Sequence, residues 1–427
     1  MPSSLIIRSL TTACQGTATQ SPMRFRGALL LLLSALGASA SEVKLTAETV
    51  ARMARERNPE LRAARHLIAE AEGRARMTGR LSNPEVDTEI AGGQEFEGRV
   101  AIGITQRFPL TSRLRLERQL SALEIESAKL EVRERERQIA VAARAGFYEL
   151  ATAKEAISVA RQQTSVAREF AKTLKDGNSE GFGSSLDAEQ ASIDAETLGS
   201  AEQPLRVSEV QASARLAELL GLPPETKLVI QESLALPRGT PSKRPVGARP
   251  DLILAELAVE AGAVDVSLAK ATRWDDVGVG LFVEGDRLRD EPDGIEPEAM
   301  VGMRLTVPLP FWQNGSGRVS EKEAARERQN AQLEALRMSV RTNVAASHQI
   351  MTIRYEAAVR AQTKLLPPAR AQVSNAEAAY ARGETDIQTV FRARERLVQI
   401  ESEALEARKR YFQSNSEWLA TLGEPVK

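Results

Sequence analysis

A long run of helix-forming residues begins at Arg113 and contains no proline or glycine before Gly146, after which it continues to about residue 175. At ~1.5 Å of rise per residue, a helix of roughly 60 residues is ~90 Å long. A compact globular domain does not hold a helix of that length. The run therefore predicts an elongated molecule built on long helices.

The run is followed by a loop and a second helix. Residues 176–184 are rich in glycine and turn-forming residues, which predicts a loop. The helical pattern resumes over residues 186–220 and ends at Gly221-Leu222-Pro223-Pro224, a typical stop signal. The two helices are expected to form a coiled-coil hairpin, because their apolar stripe is mostly alanine and leucine and small residues let neighbouring helices approach closely.

The same pattern occurs again later in the chain. A second helical run covers residues 318–382 and contains a predicted kink at Pro367-Pro368, where two backbone donors are missing. A tip follows at Gly383-Glu384-Thr385, and a return helix runs to Trp418 and Gly423. Only 4% of the chain is aromatic while 27% is charged. This composition is typical of long helices with one wet face rather than of a solid core.

Each long helix is preceded by a predicted β-hairpin, at residues 85–106 and 276–307. Apolar residues alternate over residues 100–104 and 301–307, which is a strand pattern. In the second hairpin we expect a longer loop over residues 284–298. Pro109 and Pro308 end the strands, and Gly315 and Gly317 are interpreted as a flexible joint between strand and helix.

The strands have roughly the ~9–11 residues that cross a bilayer as a tilted strand. An ordinary two-sided sheet in a soluble domain remains the alternative. If the strands do cross a membrane, one parity faces lipid and the other faces water. We expect Ile102 and Val279 on the lipid side, and Gly103 and Gly280 on the other.

Residues 1–40 have the pattern of an export signal. Arg24 and Arg26 are basic, residues 28–36 are apolar, and Ala38-Ser39-Ala40 is a small-residue cleavage site. Met23 is a candidate true start. The only cysteine, Cys14, precedes the cleavage site, so the mature chain is expected to lack disulfides and thiol nucleophiles. No later stretch approaches the ~18 apolar residues of a membrane-spanning helix.

The chain is interpreted as an internal two-fold repeat. Residues 41–224 form the first copy, with an opening helix at residues 45–80 and a tip near 176–186. Residues 225–246 are a linker, and residues 247–423 form the second copy, with a tip near 380–386. Asn58-Pro59-Glu60-Leu61 recurs as Arg249-Pro250-Asp251-Leu252. Gly181 and Asp187 of the first tip align with Gly383 and Thr389 of the second.

The motifs and their order resemble those of the TolC-like outer-membrane efflux protein family, and the likeness covers nearly all of the mature chain. The motifs are Asn58-Pro59-Glu60-Leu61, Asn83-Pro84, Gln106-Arg107-Phe108-Pro109-Leu110, Phe147-Tyr148-Glu149-Leu150, Leu219-Leu220-Gly221, Arg249-Pro250-Asp251-Leu252, Val307-Pro308-Leu309-Pro310 and Tyr380-Ala381-Arg382-Gly383.

The resemblance implies a mixed fold in a homotrimer at the bacterial outer membrane. Each chain would lend four strands to one transmembrane β-barrel and its helical hairpins to one hollow periplasmic α-barrel. A periplasmic adaptor would join this duct to an inner-membrane pump. The short openings at residues 58–61 and 249–252 look closest to the branch that serves heavy-metal pumps of the resistance-nodulation-division type.

Elementary physics also favours association if the strands lie in a membrane. Four strands cannot close a barrel, and an open sheet edge in lipid leaves backbone groups unsatisfied at several kcal/mol each. Three chains would supply twelve strands, which is within the range of known barrels.

The resemblance also suggests residues for a gate at the periplasmic tips. In the family, the starts of the return helices line a narrow entrance, commonly with acidic rings and tyrosine links. Asp187 and Tyr380 match such positions, whereas Thr389 and Arg392 stand where carboxylates are frequent. Gly181, Gly383 and Asp386 complete the candidate tips. The alternative for Asp187 is that it only caps its helix.

Other classes of function have little support in the sequence. The net charge is −1 with interspersed signs, so no basic footprint for nucleic acid is present. His66 and His348 each lie on a predicted helix without a second ligand at metal spacing, and no phosphate-binding loop is recognisable. We expect no catalysis, cofactor or bound metal. A periplasmic adaptor or structural coiled-coil protein remains the alternative, as does the same channel serving drugs or type I secretion cargo.

Overall fold

The computed structural model describes residues 42–92, 98–179, 184–232, 234–240, 242–290, 294–312 and 314–423. The predicted signal peptide at residues 1–40, with Cys14 and Met23, lies outside these residues, and so does Gly181. Within the described part of the chain, no helix combines the length and the apolar character needed to cross a membrane.

The opening segment is not the single helix predicted over residues 45–80. It consists of a short strand, β1 (Glu42–Leu45), and two helices, α1 (Ala47–Arg57) and α2 (Pro59–Met77). Asn58 separates the helices because the residue before a proline is disfavoured in the helical conformation, and it has φ −57° and ψ 125°. Its side-chain oxygen accepts a hydrogen bond from the backbone N–H of Leu61 at 3.1 Å, which caps α2.

The first helical hairpin is built on a 67-residue helix, α3 (Arg113–Ser179), which confirms the long helix predicted from Arg113. The return arm predicted as one helix over residues 186–220 is two helices, α4 (Ser185–Ser200) and α5 (Glu202–Leu219), divided at Ala201. Pro204 explains the division, because it has no N–H to donate to the carbonyl of Ser200 four residues earlier.

The second hairpin is interrupted where the sequence predicts. Helix α6 (Pro250–Ala271) precedes the second pair of strands. After those strands, helix α7 (Ser316–Arg360) passes into a π-helical segment (Ala361–Leu365) and then into α8 (Leu366–Ala381). The missing N–H groups of Pro367 and Pro368 fall in the first turn of α8, where an intrahelical bond is not required. The return helix, α9, covers Ile387–Thr421.

The strands predicted before the long helices pair into one antiparallel sheet. Its order is β2 (Glu85–Gly92), β3 (Gly98–Phe108), β5 (Val277–Asp290) and β6 (Gly294–Thr306), so β2 and β6 are the edges. In one row of the register, Val86 pairs with Ile104, Ile104 with Leu281, and Leu281 with Met303.

The prediction of a long loop over residues 284–298 is wrong. Strands β5 and β6 remain paired from Glu284 opposite Met300 to Asp290 opposite Gly294. Pro297 suggested a loop because it cannot donate to a sheet. It lies on the edge strand β6, where a missing donor is tolerated.

The linker predicted over residues 225–246 contains a strand, β4 (Lys227–Ile230), which pairs in parallel with β1. This pair lies beside the main hydrophobic cluster, which contains Leu45, Leu61, Phe147, Leu216 and Leu228 among its buried members. A second cluster joins α7 to α9 through Met351, Tyr411 and Trp418. A third joins α8 to α9 near the tips, through Val373, Ala376, Val390 and Ala393.

The two hairpins return to their starting helices through similar contacts. The side-chain amide of Asn58 donates to the carbonyl of Leu219 at 2.9 Å, and the guanidinium of Arg249 donates to the carbonyl of Thr421 at 2.7 Å. Just beyond each of those carbonyls, Gly221 and Gly423 have φ values of +61° and +74°. The two return helices are therefore anchored in the same way.

Candidate functional site

The four-stranded sheet has one apolar face that is exposed. Its side chains point to the same side because they share parity in the pairing register, and Ile90, Val301 and Met303 are each 76–77% exposed. The exposed members of this face are Val86, Ile90, Val100, Ile102, Ile104, Leu281, Val283, Val301, Met303 and Leu305. A contiguous exposed apolar surface of this kind marks contact with a protein or a membrane.

The opposite face of the sheet is polar. Arg99 donates to Asp286 at 3.2 Å and also pairs with Glu284, while Arg107 pairs with Glu85 at 3.1 Å. The described charged side chains of this parity are Glu85, Asp87, Glu89, Arg99, Arg107, Glu284, Asp286, Glu298 and Arg304. Acidic side chains therefore outnumber basic ones on this face. Ile102 and Val279 lie on the apolar face and Gly103 and Gly280 on the polar face, as the sequence pattern predicts.

The glycines of the polar face have a packing role. A Cβ at Gly302 would lie 2.4 Å from the ring of Phe282, and a Cβ at Gly280 would lie 2.8 Å from the Thr105 hydroxyl. A Cβ at Gly103 would lie 3.1 Å from the carbonyl oxygen of Leu281. Gly103 and Gly302 let Phe282 lie against the sheet, and Gly280 makes room for Thr105. Arginine at Gly103 or Gly280 would therefore be resisted by sterics, although this face accepts charge.

The junctions between strand and helix are only partly as predicted. Pro109 directly follows β3, and Pro308 lies two residues after the end of β6. Gly315 precedes α7 with φ +72°, and a Cβ there would lie 2.8 Å from Arg273. Gly317 lies inside the first turn of α7, so the interpretation of Gly315 and Gly317 together as a flexible joint is wrong for Gly317.

The structure brings two of the predicted gate residues together. Tyr380, at the end of α8, donates its hydroxyl to the carboxylate of Asp187 in the first turn of α4 at 2.8 Å. Burial and this hydrogen bond raise the pKa of Tyr380 to about 12. Helix α4 has Ser184 as its N-cap residue, so Asp187 does not have the capping role considered as the alternative. We call the contact between Tyr380 and Asp187 the tip latch.

The other candidates at the second tip form the turn itself. Gly383 has φ +74°, and the carboxylate of Asp386 caps α9 by accepting the backbone N–H of Thr389 at 3.0 Å. The Thr389 hydroxyl also donates to Asp386, which lowers the pKa of that carboxyl. Arg392 is exposed and donates to the carbonyl of Gln388 on its own helix at 3.3 Å. The structure therefore does not bring Arg392 to the tip latch.

Sequence reasoning missed a buried arginine next to the tip latch. Arg394 on α9 is 7% exposed, donates to Glu377 on α8 at 2.6 and 3.0 Å, and stands 4.1 Å from the ring centre of Phe170 on α3. The available signal was its position on the apolar stripe of α9, four residues after Val390 and three before Leu397.

A carboxylate with one unpartnered oxygen lies in the same region. The Oδ2 atom of Asp194 on α4 is buried and has no hydrogen-bond partner among the described residues. Burial raises the pKa of this carboxyl; Arg394 opposes that rise and Glu395 adds to it. Within the described residues, no group of three or more His, Cys, Asp or Glu side chains is placed to hold a metal ion.

The sequence matches a known family along most of its length. The family is described as outer membrane efflux protein, and the match covers residues 50–222 and 246–424. The chain belongs to the outer membrane efflux protein family. This match confirms the family predicted from the sequence motifs. No curated protein matches the sequence.

Solved structures share the fold of this family member at low sequence identity. CusC has a TM-score of 0.71 and 16% identity, with 88% of this chain and 92% of CusC covered. The outer membrane protein VceC from Vibrio cholerae has a TM-score of 0.69 and 17% identity, with 89% of this chain and 97% of VceC covered. The MtrE outer membrane channel of Neisseria gonorrhoeae has a TM-score of 0.69 and 17% identity, with 89% of each chain covered. At these identities the likeness establishes the fold.

Proposed function

We propose that this protein is the outer-membrane channel of a tripartite efflux system, a passive homotrimeric duct. It would carry solutes from an inner-membrane pump and a periplasmic adaptor to the exterior. The observation that carries the proposal is the exposed apolar face of the sheet, which has no charged side chain from Val86 to Ile90, Val100 to Ile104, Val279 to Val283 or Val301 to Leu305. Lipid is the environment that such a face fits.

Association into a trimer follows from the edges of the sheet. Strands β2 and β6 each have a neighbour on one side only, and an unpaired edge costs several kcal/mol per unsatisfied group in lipid. If β6 of one copy pairs with β2 of the next, the antiparallel alternation continues around a ring. Three copies give twelve strands, and four strands alone are below the smallest known barrels.

The polar face would line the interior of this barrel. Glu85, Asp87, Glu89, Glu284, Asp286 and Glu298 outnumber Arg99, Arg107 and Arg304 on it, so the interior would attract cations. This excess supports metal cations as the exported solutes, together with the resemblance of the openings at residues 58–61 and 249–252 to those of heavy-metal systems. The pump would be of the resistance-nodulation-division type.

The internal two-fold repeat is part of the same proposal, with copies at residues 41–224 and 247–423. Its support is the matched anchoring of the two return helices, in which Asn58 contacts Leu219 and Arg249 contacts Thr421. Each copy would place one helical hairpin in the wall of the periplasmic tunnel and one tip at its entrance, where the adaptor docks.

Fractionation of cell envelopes tests the location. The protein should sediment with the outer membrane on a density gradient and migrate as a heat-stable trimer after detergent extraction. Monomer in the soluble periplasmic fraction would refute the channel and favour a periplasmic structural role.

Conductance in planar bilayers tests the gate. Threefold symmetry would set three tip latches around one aperture. Tyr380→Phe removes the hydroxyl that donates to Asp187 and should raise the single-channel conductance of assembled trimers. Asp187→Ala removes the acceptor and one charge per chain, so it should also reduce cation preference. Combining Tyr380→Phe with Arg392→Ala tests whether Arg392 adds to the closed state; unchanged conductance and selectivity with all three substitutions would remove these residues from the gate.

A further inference from the structure

Arg394 is an unusual residue for the place it occupies. It lies among the small and apolar side chains that join α8 to α9 near the tips, including Ala393, Val390 and Val373, and its side chain is almost fully withdrawn from solvent. Moving a charge out of water is strongly unfavourable unless it is paired and hydrogen-bonded. A buried arginine at this point therefore needs compensating contacts.

Its contacts reach two other helices. The Nε and one terminal nitrogen both donate to the same carboxylate oxygen of Glu377, which lies one helical turn before Tyr380 on α8. The guanidinium carbon stands 4.1 Å from the centre of the Phe170 ring on α3, within the range of a cation–π contact. Arg394 thus joins α9 to both α8 and α3.

Phe170 connects this contact to the tip latch. Its ring lies edge-on to the Tyr380 ring, with centroids 6.2 Å apart and an interplanar angle of 63°. Phe170 therefore contacts the Tyr380 ring, while the Tyr380 hydroxyl donates a hydrogen bond to Asp187 on α4. Aromatic pairs of this geometry attract each other beyond the effect of their buried area.

We propose that Arg394 is a positioning residue of the tip latch: by holding Glu377 and Phe170 it fixes the Tyr380 ring so that its hydroxyl stays on Asp187. The inference rests on the proposed function of that contact as a gate. Without the guanidinium, Phe170 is free to move away from Tyr380, and the end of α8 loses its tie to α9. The closed tip is then less populated.

The variants separate positioning from general stability. Arg394→Met keeps a long side chain but removes the guanidinium, and Phe170→Leu removes the ring and leaves the ion pair with Glu377 in place. Arg394→Lys keeps the charge without the planar group. The matched control is Arg370→Met, because Arg370 also joins α8 to α9, through Glu401 at 2.8 Å, and is far along α8 from Tyr380.

Single-channel conductance of assembled trimers in planar bilayers is the measurement. Arg394→Met and Phe170→Leu should each raise conductance to the level of Tyr380→Phe, and neither should raise it further in the Tyr380→Phe background. Arg394→Lys should fall between Arg394→Met and the native protein, and Arg370→Met should match the native protein. This non-additivity is expected only if Arg394 acts through Tyr380.

Three outcomes would separately contradict the positioning role, the gate and the channel. The positioning role is wrong and the gate stands if Tyr380→Phe raises conductance while Arg394→Met and Phe170→Leu leave conductance at the native level. The same conclusion holds if the conductance increases of these variants add fully to that of Tyr380→Phe in the double variants. If Tyr380→Phe has no effect in a conducting trimer, the tip latch and the positioning role both fail. If the native protein forms no trimer and no channel, the proposed function itself fails. Should Arg394→Met not assemble, Phe170→Leu decides the question alone.

Discussion

At the scale of single residues, Gly221 illustrates how a backbone conformation can require glycine at one position. It ends α5 with φ +61°, and a Cβ would lie 2.6 Å from the carbonyl oxygen of Arg57. A non-glycine residue in the left-handed region costs about 1–2 kcal/mol before any clash is counted. Gly221→Ala should therefore lower the free energy of unfolding by at least that amount, measured by thermal or denaturant unfolding in detergent.

Gly73 is the control for this substitution. It lies inside α2, and an added Cβ would meet nothing within 4 Å. Gly73→Ala should raise stability by roughly 0.5–1 kcal/mol, because glycine is the poorer helix former. Equal effects of the two substitutions would contradict the conformation assigned to Gly221.

Asp194 leads to a prediction about pH. Burial raises the pKa of its carboxyl above the ordinary value of 3.8, so the ionised form is disfavoured in the folded tip. The stabilising contribution of this group is fully present below pH 3.8 and is lost as the pH rises through the raised value. Asp194→Asn should therefore stabilise the tip at neutral pH, and its advantage should shrink as the pH falls.

Hydrogen exchange of the α4 amides at neutral and acidic pH measures this difference. Glu196→Gln is the control, since Glu196 is an exposed carboxylate on the same helix paired with Arg168 at 3.2 Å, and exposed pairs contribute about 0–1 kcal/mol. Slower exchange in Glu196→Gln than in Asp194→Asn at neutral pH would contradict the assignment.

The sequence predicts some residues of the site but not others. Asp187 and Tyr380 could be named because they match a motif, although they are far apart in the chain and only the fold brings them to 2.8 Å. Arg394 could not be named from charge patterning, since its burial depends on α3 and α8 packing over it. Tertiary packing decides whether an arginine on a helix is solvated.

At the scale of elements, the two faces of the sheet make a sharp prediction. Val301 and Met300 are neighbours on the edge strand β6, both exposed, and point to opposite faces because strand parity alternates. Val301→Arg puts a charge on the apolar face, where it should cost about 2–4 kcal/mol at the bilayer midplane and reduce trimer assembly. Met300→Arg puts the same charge on the polar face and should assemble normally.

Trimer yield in outer-membrane extracts measures both variants. Met300 is a better control than Gly103 or Gly280 on the same face, because those glycines are crowded by Leu281 and Thr105. Equal loss of trimer from both variants would mean that the apolar face does not contact lipid.

Local sequence patterns predict which helices and strands form, whereas the residues at which they end depend on the surrounding structure. The 67-residue helix and the alternating strands could be predicted because propensity and periodicity agree over many residues. The continuation of β5 and β6 through residues 284–290 and 294–298 could not, because Pro297 cannot donate a backbone hydrogen bond and only the fold reveals that it lies on an edge strand. The division of the return arm at Ala201 could have been found from Pro204.

At the scale of the whole molecule, the described chain presents surfaces that one copy cannot satisfy. The sheet has two unpaired edges and an exposed apolar face. A single chain cannot pair the backbone groups of both edge strands in lipid, so the proposed barrel requires strands from partner chains. Identical copies are the simplest source of those strands. Sequence patterns specify the strands, but the number of copies depends on how many strands close a ring at a given tilt.

The proposed channel requires that three copies close one barrel in the outer membrane. The most direct test is the mass of the complex extracted intact from purified outer membranes in mild detergent, measured by native mass spectrometry. We expect a complex of three identical chains, which dissociates to single chains only under denaturing conditions. A complex of one or two chains from the same membranes, under conditions that preserve other outer-membrane trimers, would contradict it.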